Sequence, residues 1–206
     1  MPKLLVASSN PGKLSEYRAL NSAAPLGLRV SLELLPRFSE LPPFPETAPT
    51  FAENAAGKAL HYSRYAGLPV LAEDSGLAVA ALDGRPGVHS ARYAGPGASD
   101  AQRVSKLLAE LDELGDRGAA DRSARFICVI ALAIGGRMLS VISDAVAGEI
   151  LRAPRGAGGF GYDPVFLFPP LGKTFAEMPP EQKNLYSHRG GAFRKLLDFC
   201  ATCPVL

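Results

Sequence analysis

A short polar segment near the N-terminus, residues 8–13, combines side-chain donors with turn residues and a lysine. It lies between an apolar run that predicts a strand and a pattern that predicts a helix. A helix N-terminus offers free amides and the positive end of the helix dipole, so it binds anions. Ser8, Ser9 and Asn10 add polar groups, and Lys13 adds a point charge. The segment therefore predicts an anion site, although a capped turn with a solvated lysine also fits it.

Two adjacent carboxylates, Glu73 and Asp74, follow a second apolar run and precede a serine and a glycine. Adjacent carboxylates at a strand end repel each other unless a cation or hydrogen-bond donors compensate. Mg²⁺ prefers oxygen ligands and typically takes one or two carboxylates together with waters and phosphate oxygens. Glu46, in a proline-rich loop, is a candidate third carboxylate. The segment predicts a magnesium site, and the alternative is a solvent-exposed acidic turn.

Two later segments carry groups that suit a nucleotide base. The glycine-rich segment 158–164 contains Phe160, and a flanked aromatic ring can stack on a base. His188 and Arg189 follow Ser187 at a predicted helix start, where they can donate hydrogen bonds to carbonyl oxygens. Taken singly, the first segment also fits a tight loop and the second fits surface charge.

Apolar periodicity predicts the elements that carry these segments. Predicted strands cover residues 3–8, 29–35, 68–72, 126–134, 138–146 and 165–168. Predicted helices carry the stripe of Leu14, Tyr17 and Leu20, or begin at the caps Thr50, Ser99 and Ser187. Helices and strands alternate early, and a hairpin joined at Gly135–Gly136 lies in the middle. This order predicts one α/β domain over residues 1–206 with a mixed sheet.

The composition limits the class of protein. Hydrophobic residues make up 47% and charged residues 20% of the chain, which is typical of a folded globular protein. A net charge of +2 is too small to attract long nucleic acid electrostatically, so binding of long nucleic acid is not expected. The longest apolar run, residues 126–134, is far shorter than the roughly 20 residues of a membrane helix. The three cysteines favour a reducing compartment, and no secretory signal precedes the first strand, so we expect a cytoplasmic protein without membrane partners.

Together, and in this order, the segments resemble the inosine triphosphate pyrophosphatase family, which hydrolyses deaminated purine nucleoside triphosphates. Any one segment is weak evidence for the family, but six segments in the right order through nearly the whole chain are highly specific for it. The matching segments are residues 7–13, 51–55 with 58–59, 73–77, 86–87 with 90–93, 158–164 and 187–190. The acidic pair is Glu-Asp where many bacterial members of the family have Asp-Asp, which retains the charge.

The resemblance implies a two-lobed α/β fold with a long mixed central β-sheet and helices on both sides. It also implies a nucleotide cleft between the lobes and a homodimer. The expected reaction is Mg²⁺-dependent cleavage between the α- and β-phosphates of a purine nucleoside triphosphate (ITP, dITP or XTP). The products are the nucleoside monophosphate and pyrophosphate.

The resemblance also implies roles for individual residues. Asp74 is the expected general base, with Lys13 and Lys58 as further catalytic residues, and Glu46, Glu73 and Asp74 hold Mg²⁺. The expected substrate-binding residues are Ser8, Ser9, Asn10, Pro11, Gly12, Lys13, Ser75, Phe160, Gly161, Tyr162, Asp163, Lys183, His188 and Arg189. Donors from His188 or Arg189 would pair with the 6-oxo group of hypoxanthine or xanthine. In adenine they would face the 6-amino group, which is itself a donor, and would stay unpaired.

Two alternative functions stay open at this point. A septum-inhibitor-like nucleotide pyrophosphatase shares the two-lobed plan but acts on other bases, and the His188-Arg189 pair argues against it. A nucleotide-binding sensor without turnover would not need Glu46, Glu73 and Asp74 to converge on a metal. Consumption of a bound triphosphate with Mg²⁺ separates an enzyme from a sensor.

Overall fold

A computed structural model describes residues 1–115 and 121–203, and within these ranges the strands form one mixed sheet. The strands are β1 (Lys3–Val6), β2 (Ser31–Leu34), β3 (Val70–Val79), β4 (Ser123–Ile134), β5 (Arg137–Ile150), β6 (Phe166–Phe168) and β7 (Lys173–Thr174). Their order in the sheet is β2-β1-β3-β4-β5-β6-β7. β1 pairs in parallel with β2 and β3, whereas β6 pairs antiparallel with β5 and β7. The predicted α/β class with a mixed sheet is confirmed.

Three of the described helices begin directly after the predicted caps Thr50, Ser99 and Ser187. The described helices are α1 (Pro11–Ala23), α2 (Phe51–Tyr62), α3 (Asp100–Glu113), α4 (Pro180–Tyr186) and α5 (His188–Thr202). The Asn10, Thr50 and Ser99 side chains accept hydrogen bonds from the first turns of α1, α2 and α3. The short α4, which begins on a proline, was not predicted. Among the described residues, no helix has the length and apolar character needed to cross a membrane.

The described chain divides into two compact units, each with its own core. The first unit comprises residues 1–74, 128–144 and 188–206, and the second comprises 75–127 and 145–187. In the first, Tyr17 and Leu20 of α1 and Phe193 and Leu196 of α5 pack with strand residues such as Leu71. In the second, Val104 and Leu107 of α3 pack with Phe126, Phe166 and Phe175. The single domain over 1–206 and the nucleotide cleft stay predictions.

Several strand boundaries differ from the sequence prediction. β3 does not end at Ala72 but continues through Glu73 and Asp74 to Val79. The predicted end is wrong because charged residues usually end a buried strand, whereas the carboxyl groups here are buried with compensating partners. The hairpin strands are also longer than predicted, and the turn between them has positive φ at both Gly135 and Gly136. A turn of that kind favours glycine at both positions.

Candidate active site

The segment before α1 has the geometry of a helix N-terminus open to an anion. Asn10 caps the helix, because its Oδ1 accepts a hydrogen bond from the Lys13 N–H at 3.2 Å. Ser8 Oγ in turn accepts from the Asn10 N–H at 3.2 Å, and Pro11 begins the helix. Ser9, Asn10 and Pro11 are exposed, and Gly12 is half-buried. The Gly12 N–H and the positive end of the helix dipole are therefore presented beside Lys13, since Pro11 has no N–H and Asn10 caps the N–H of Lys13.

Glu73 and Asp74 lie inside β3, where successive side chains point to opposite faces of the sheet. Both are buried, at 4% and 5% exposure. Glu73 faces α1 and α5, together with Leu71, whereas Asp74 faces α2. The two adjacent carboxylates therefore have separate environments and do not converge on one point.

The Glu73 carboxylate lies among donors from two helices. Arg189 donates to it through Nε and Nη2, at 3.0 and 2.9 Å. Lys13 Nζ lies 3.1 Å from Glu73 Oε1, and the Tyr17 hydroxyl donates to Oε2. Burial and then the charge of Glu73 raise the pKa of Tyr17 well above its usual range, so the hydroxyl keeps its proton. Arg189 also donates to Glu16, and the two acidic and two basic side chains balance each other.

The Asp74 carboxylate is paired less completely. Lys58 Nζ lies 3.9 Å from Asp74 Oδ1 and 3.1 Å from Glu46 Oε1, and it donates to the Glu73 carbonyl oxygen at 2.7 Å. Lys58 therefore stands next to both Asp74 and Glu46. Asp74 Oδ2 is buried and has no hydrogen-bond partner among the described residues. An unpartnered buried carboxylate oxygen costs stability, which makes Asp74 a candidate ligand-binding or catalytic residue.

Burial raises the pKa of Asp74 above its usual range, and the nearby Lys58 ammonium opposes that shift. The Glu46 carboxylate adds to the rise. The loop that carries Glu46 is fixed to α2, because the Asn54 side chain bonds the N–H and C=O of Ala48 at 3.1 and 3.2 Å. A buried carboxylate with a raised pKa is a stronger proton acceptor than an exposed one, which suits general-base chemistry.

A magnesium ion fits one part of this arrangement. Asp74 Oδ2 is a carboxylate oxygen without a hydrogen-bond partner among the described residues, and Mg²⁺ prefers oxygen ligands of this type. Glu46, which pairs with the neighbouring Lys58, supplies a second carboxylate. Glu73 lies on the other face of β3 with its oxygens engaged. Across the described ranges, no group of three or more His, Cys, Asp or Glu side chains is arranged to hold a metal. The site of Glu46, Glu73 and Asp74 stays a prediction.

In the second unit, the glycine-rich loop is organised by Asp163. Its Oδ2 accepts hydrogen bonds from the Phe160 N–H at 2.8 Å and from Lys183 Nζ at 2.6 Å. Lys183 also lies 4.8 Å from the centre of the Phe160 ring, a cation–π distance. The Gly161 N–H donates to Asp100 Oδ2 at 2.7 Å, and the Tyr162 hydroxyl donates to the Ser90 carbonyl at 3.0 Å. The structure thus brings Phe160, Asp163 and Lys183 together.

The remaining predicted residues lie in two places. Ser75 is half-buried in β3, next to Asp74. His188 and Arg189 begin α5 and are buried, at 5% and 3% exposure. The contacts of Arg189 with Glu73 and Glu16 are structural, and they differ from the base contact that the sequence predicted for it. That role in base reading stays a prediction.

Several residues of the site were not predicted from the sequence. Glu16 and Tyr17 follow Lys13 by three and four residues on α1, and that spacing places them on one helix face. The spacing was a usable signal, but Tyr17 was assigned only to the apolar stripe. Asp100 and Ser90 bond the glycine-rich loop from far along the chain, and no local pattern indicates such contacts.

Comparisons with known proteins identify the family to which this chain belongs. A dITP/XTP pyrophosphatase from Geobacillus kaustophilus is 48% identical over 196 residues, which cover 95% of this chain and 93% of that protein. Another from Gloeobacter violaceus is 49% identical over 198 residues, covering 96% and 94%. The solved structure of a HAM1 protein from Coxiella burnetii matches with a TM-score of 0.86 and 42% identity, covering 98% of this chain and all of that one. The sequence model of the Ham1 family matches residues 4–199, and the chain belongs to that family.

Proposed function

We propose that this protein hydrolyses the deaminated purine nucleoside triphosphates ITP, dITP and XTP to the nucleoside monophosphate and pyrophosphate, which removes them from the nucleotide pool. The observation that carries the proposal is the Asp74 carboxylate, buried beside Lys58 with one oxygen unpartnered among the described residues. The names of the relatives, dITP/XTP pyrophosphatases at 48% and 49% identity over nearly their full length, supply the substrate class.

Asp74 accepts the proton of the attacking water as the bond between the α- and β-phosphates breaks and pyrophosphate leaves. Its raised pKa supports this role, because the proton acceptor must be basic enough to take a proton from water. Lys13 and the N-terminus of α1 bind the phosphates, and Lys58 neutralises further charge beside the carboxylate. Ser8, Ser9 and Asn10 add polar contacts to the same anion.

Magnesium would be held by Asp74 and Glu46, since both carboxylates lie next to Lys58. Asp74 belongs to β3, and Glu46 belongs to the loop before α2. When bound, the ion neutralises phosphate charge and makes water more acidic. We therefore expect turnover to require a divalent cation, and chelation by EDTA to abolish it reversibly.

The glycine-rich loop is the proposed site of the purine base. Phe160 is half-buried and is held by Asp163 and Lys183, which fixes the ring for stacking. His188 is the proposed donor to the 6-oxo group, because the Arg189 guanidinium is engaged by Glu73 and Glu16. Adenine has an amino donor at that position, so a site of this kind rejects it by about 10⁴–10⁵ in kcat/KM.

The test is release of pyrophosphate, measured against release of inorganic phosphate, with ITP, dITP, XTP, ATP, GTP and UTP in the presence of Mg²⁺. We expect pyrophosphate from the three deaminated purines and little from ATP. Comparable kcat/KM for ATP and ITP would contradict the base-reading role and favour a pyrophosphatase of the septum-inhibitor-like kind. Tight binding of ITP with no turnover would instead indicate a sensor. The homodimer and the cytoplasmic location stay predictions.

A further inference from the structure

The Glu73 carboxylate has most of its hydrogen-bonding capacity engaged by protein. A carboxylate offers about four lone-pair sites. Three hydrogen bonds reach it, from Nε and Nη2 of Arg189 and from the hydroxyl of Tyr17, and the Lys13 ammonium forms an ion pair with Oε1 at 3.1 Å. A carboxylate in this state has little capacity left for a metal ion. It also lies on the face of β3 opposite to Asp74.

The partners of Glu73 connect it to the proposed phosphate site. Lys13, Glu16 and Tyr17 are neighbours on α1, and Glu16 accepts a hydrogen bond from the same Arg189 that clamps Glu73. The Lys13 side chain is 17% exposed, whereas the Glu73 side chain is 2% exposed. An ammonium has several N–H donors, so Lys13 can keep its contact with Glu73 while it donates to a phosphate.

We propose that Glu73 is a positioning residue, which holds the Lys13 ammonium at the N-terminus of α1 for the phosphate chain, with Tyr17 and Arg189 fixing Glu73 in turn. This role replaces the metal-ligand role that the sequence predicted for Glu73, and it rests on the function proposed above. A lysine side chain has many rotamers, and an anchored one loses less freedom when the ligand binds. The network therefore strengthens phosphate binding through Lys13, without touching the substrate itself.

A double-mutant cycle tests the proposal. Tyr17→Phe and Glu73→Gln are made in the parent and in Lys13→Ala, and the Kd of ITP is measured by calorimetry in EDTA, so that no metal contributes. In the parent, we expect Glu73→Gln to weaken binding about 10- to 100-fold and Tyr17→Phe about 2- to 10-fold. In Lys13→Ala, both effects should fall to less than twofold, because the residue through which they act is gone.

The same variants are then assayed for turnover with Mg²⁺. We expect KM to rise, and the Mg²⁺ concentration for half-maximal activity to stay within twofold of the parent value. A several-fold rise in that concentration for Glu73→Gln would overturn the proposal and restore a metal-ligand role. Equal losses in the parent and in Lys13→Ala would also overturn it, since Glu73 would then act independently of Lys13.

Two variants, Tyr17→Phe and a surface control, keep the outcome interpretable. Tyr17→Phe preserves the packing of the ring on Phe193 at 5.1 Å, so it decides the question if Glu73→Gln does not fold. Glu33→Gln is the matched control, because Glu33 pairs with Lys3 at 2.8 Å on the surface of the same unit and should leave the Kd unchanged. Failure of the parent to cleave ITP refutes the proposed function, whereas absent coupling in an active parent refutes only this inference.

Discussion

Replacing Asp74 with asparagine should separate catalysis from folding. The substitution keeps the shape of the side chain but removes its charge and its ability to accept a proton from water. Loss of a general base lowers the rate by about 10²–10⁴, or about 2.7–5.5 kcal/mol in the activation barrier. Because Asp74 also belongs to the proposed magnesium site, we expect a loss toward the upper end of that range.

The thermal stability of Asp74→Asn should not fall with its rate. A carboxyl group whose pKa is raised on folding is destabilised in its ionised form, so at pH 7 the charge of Asp74 opposes folding. An asparagine amide is neutral, so its burial does not carry the desolvation cost of a buried charge. Lys58 keeps its contacts with Glu46 and with the Glu73 carbonyl oxygen. We therefore expect the Tm of Asp74→Asn to equal or exceed that of the parent.

The assay combines pyrophosphate release from ITP with thermal unfolding at pH 7, and Asp198→Asn serves as the control. Asp198 is exposed on α5, so its replacement should alter neither rate nor Tm appreciably. Turnover of Asp74→Asn within a factor of a few of the parent would refute its role as general base. A clear fall in Tm would refute the reasoning from burial, since it would show that ionised Asp74 stabilises the fold.

Three other perturbations address other parts of the molecule. Arg189→Ala leaves Glu73 buried without its guanidinium and should cost about 3–5 kcal/mol in urea unfolding; a loss below about 1 kcal/mol would contradict the buried pairing. Phe160→Ala should raise KM for ITP about 10- to 100-fold through lost stacking, and an unchanged KM would place the base elsewhere. Burial, and then Cys203, raise the pKa of Cys200 to about 11, so iodoacetamide at pH 8 should label Cys203 first and reach Cys200 faster as pH rises toward 11. Mass spectrometry of the labelled peptides decides the last point, and equal rates at pH 8 would contradict it.

Local rules predicted the helices well. Asn10 and Ser99 each cap a helix where the sequence placed one, because N-cap chemistry depends on residues a few positions apart. The buried stripe of α5, with Phe193, Leu196 and Cys200, is also the predicted one. Such features need only the 3.6-residue period and a side-chain acceptor, both of which can be read from a short window of sequence.

Long-range pairing was beyond those rules. The prediction ended a strand at Ala72 because a carboxylate in a buried strand is costly unless it is paired, and the partners of Glu73 are not visible locally. Arg189 lies 116 residues away in the chain. The prediction that Arg189 donates to a base considered only its place at a helix start and not the buried acid opposite it.

The alternation of side chains in β3 explains why two adjacent carboxylates have different properties. Position 73 faces α1 and α5, where contacts with Arg189, Lys13 and Tyr17 compensate for burial of the carboxylate. Position 74 faces α2, where Lys58 is shared with Glu46 and one carboxylate oxygen has no partner among the described residues. The proposed general base is therefore the acid whose charge folding leaves incompletely compensated. A shift of β3 by one residue would exchange the two environments, so the register of this strand determines which of the two acids is left incompletely compensated.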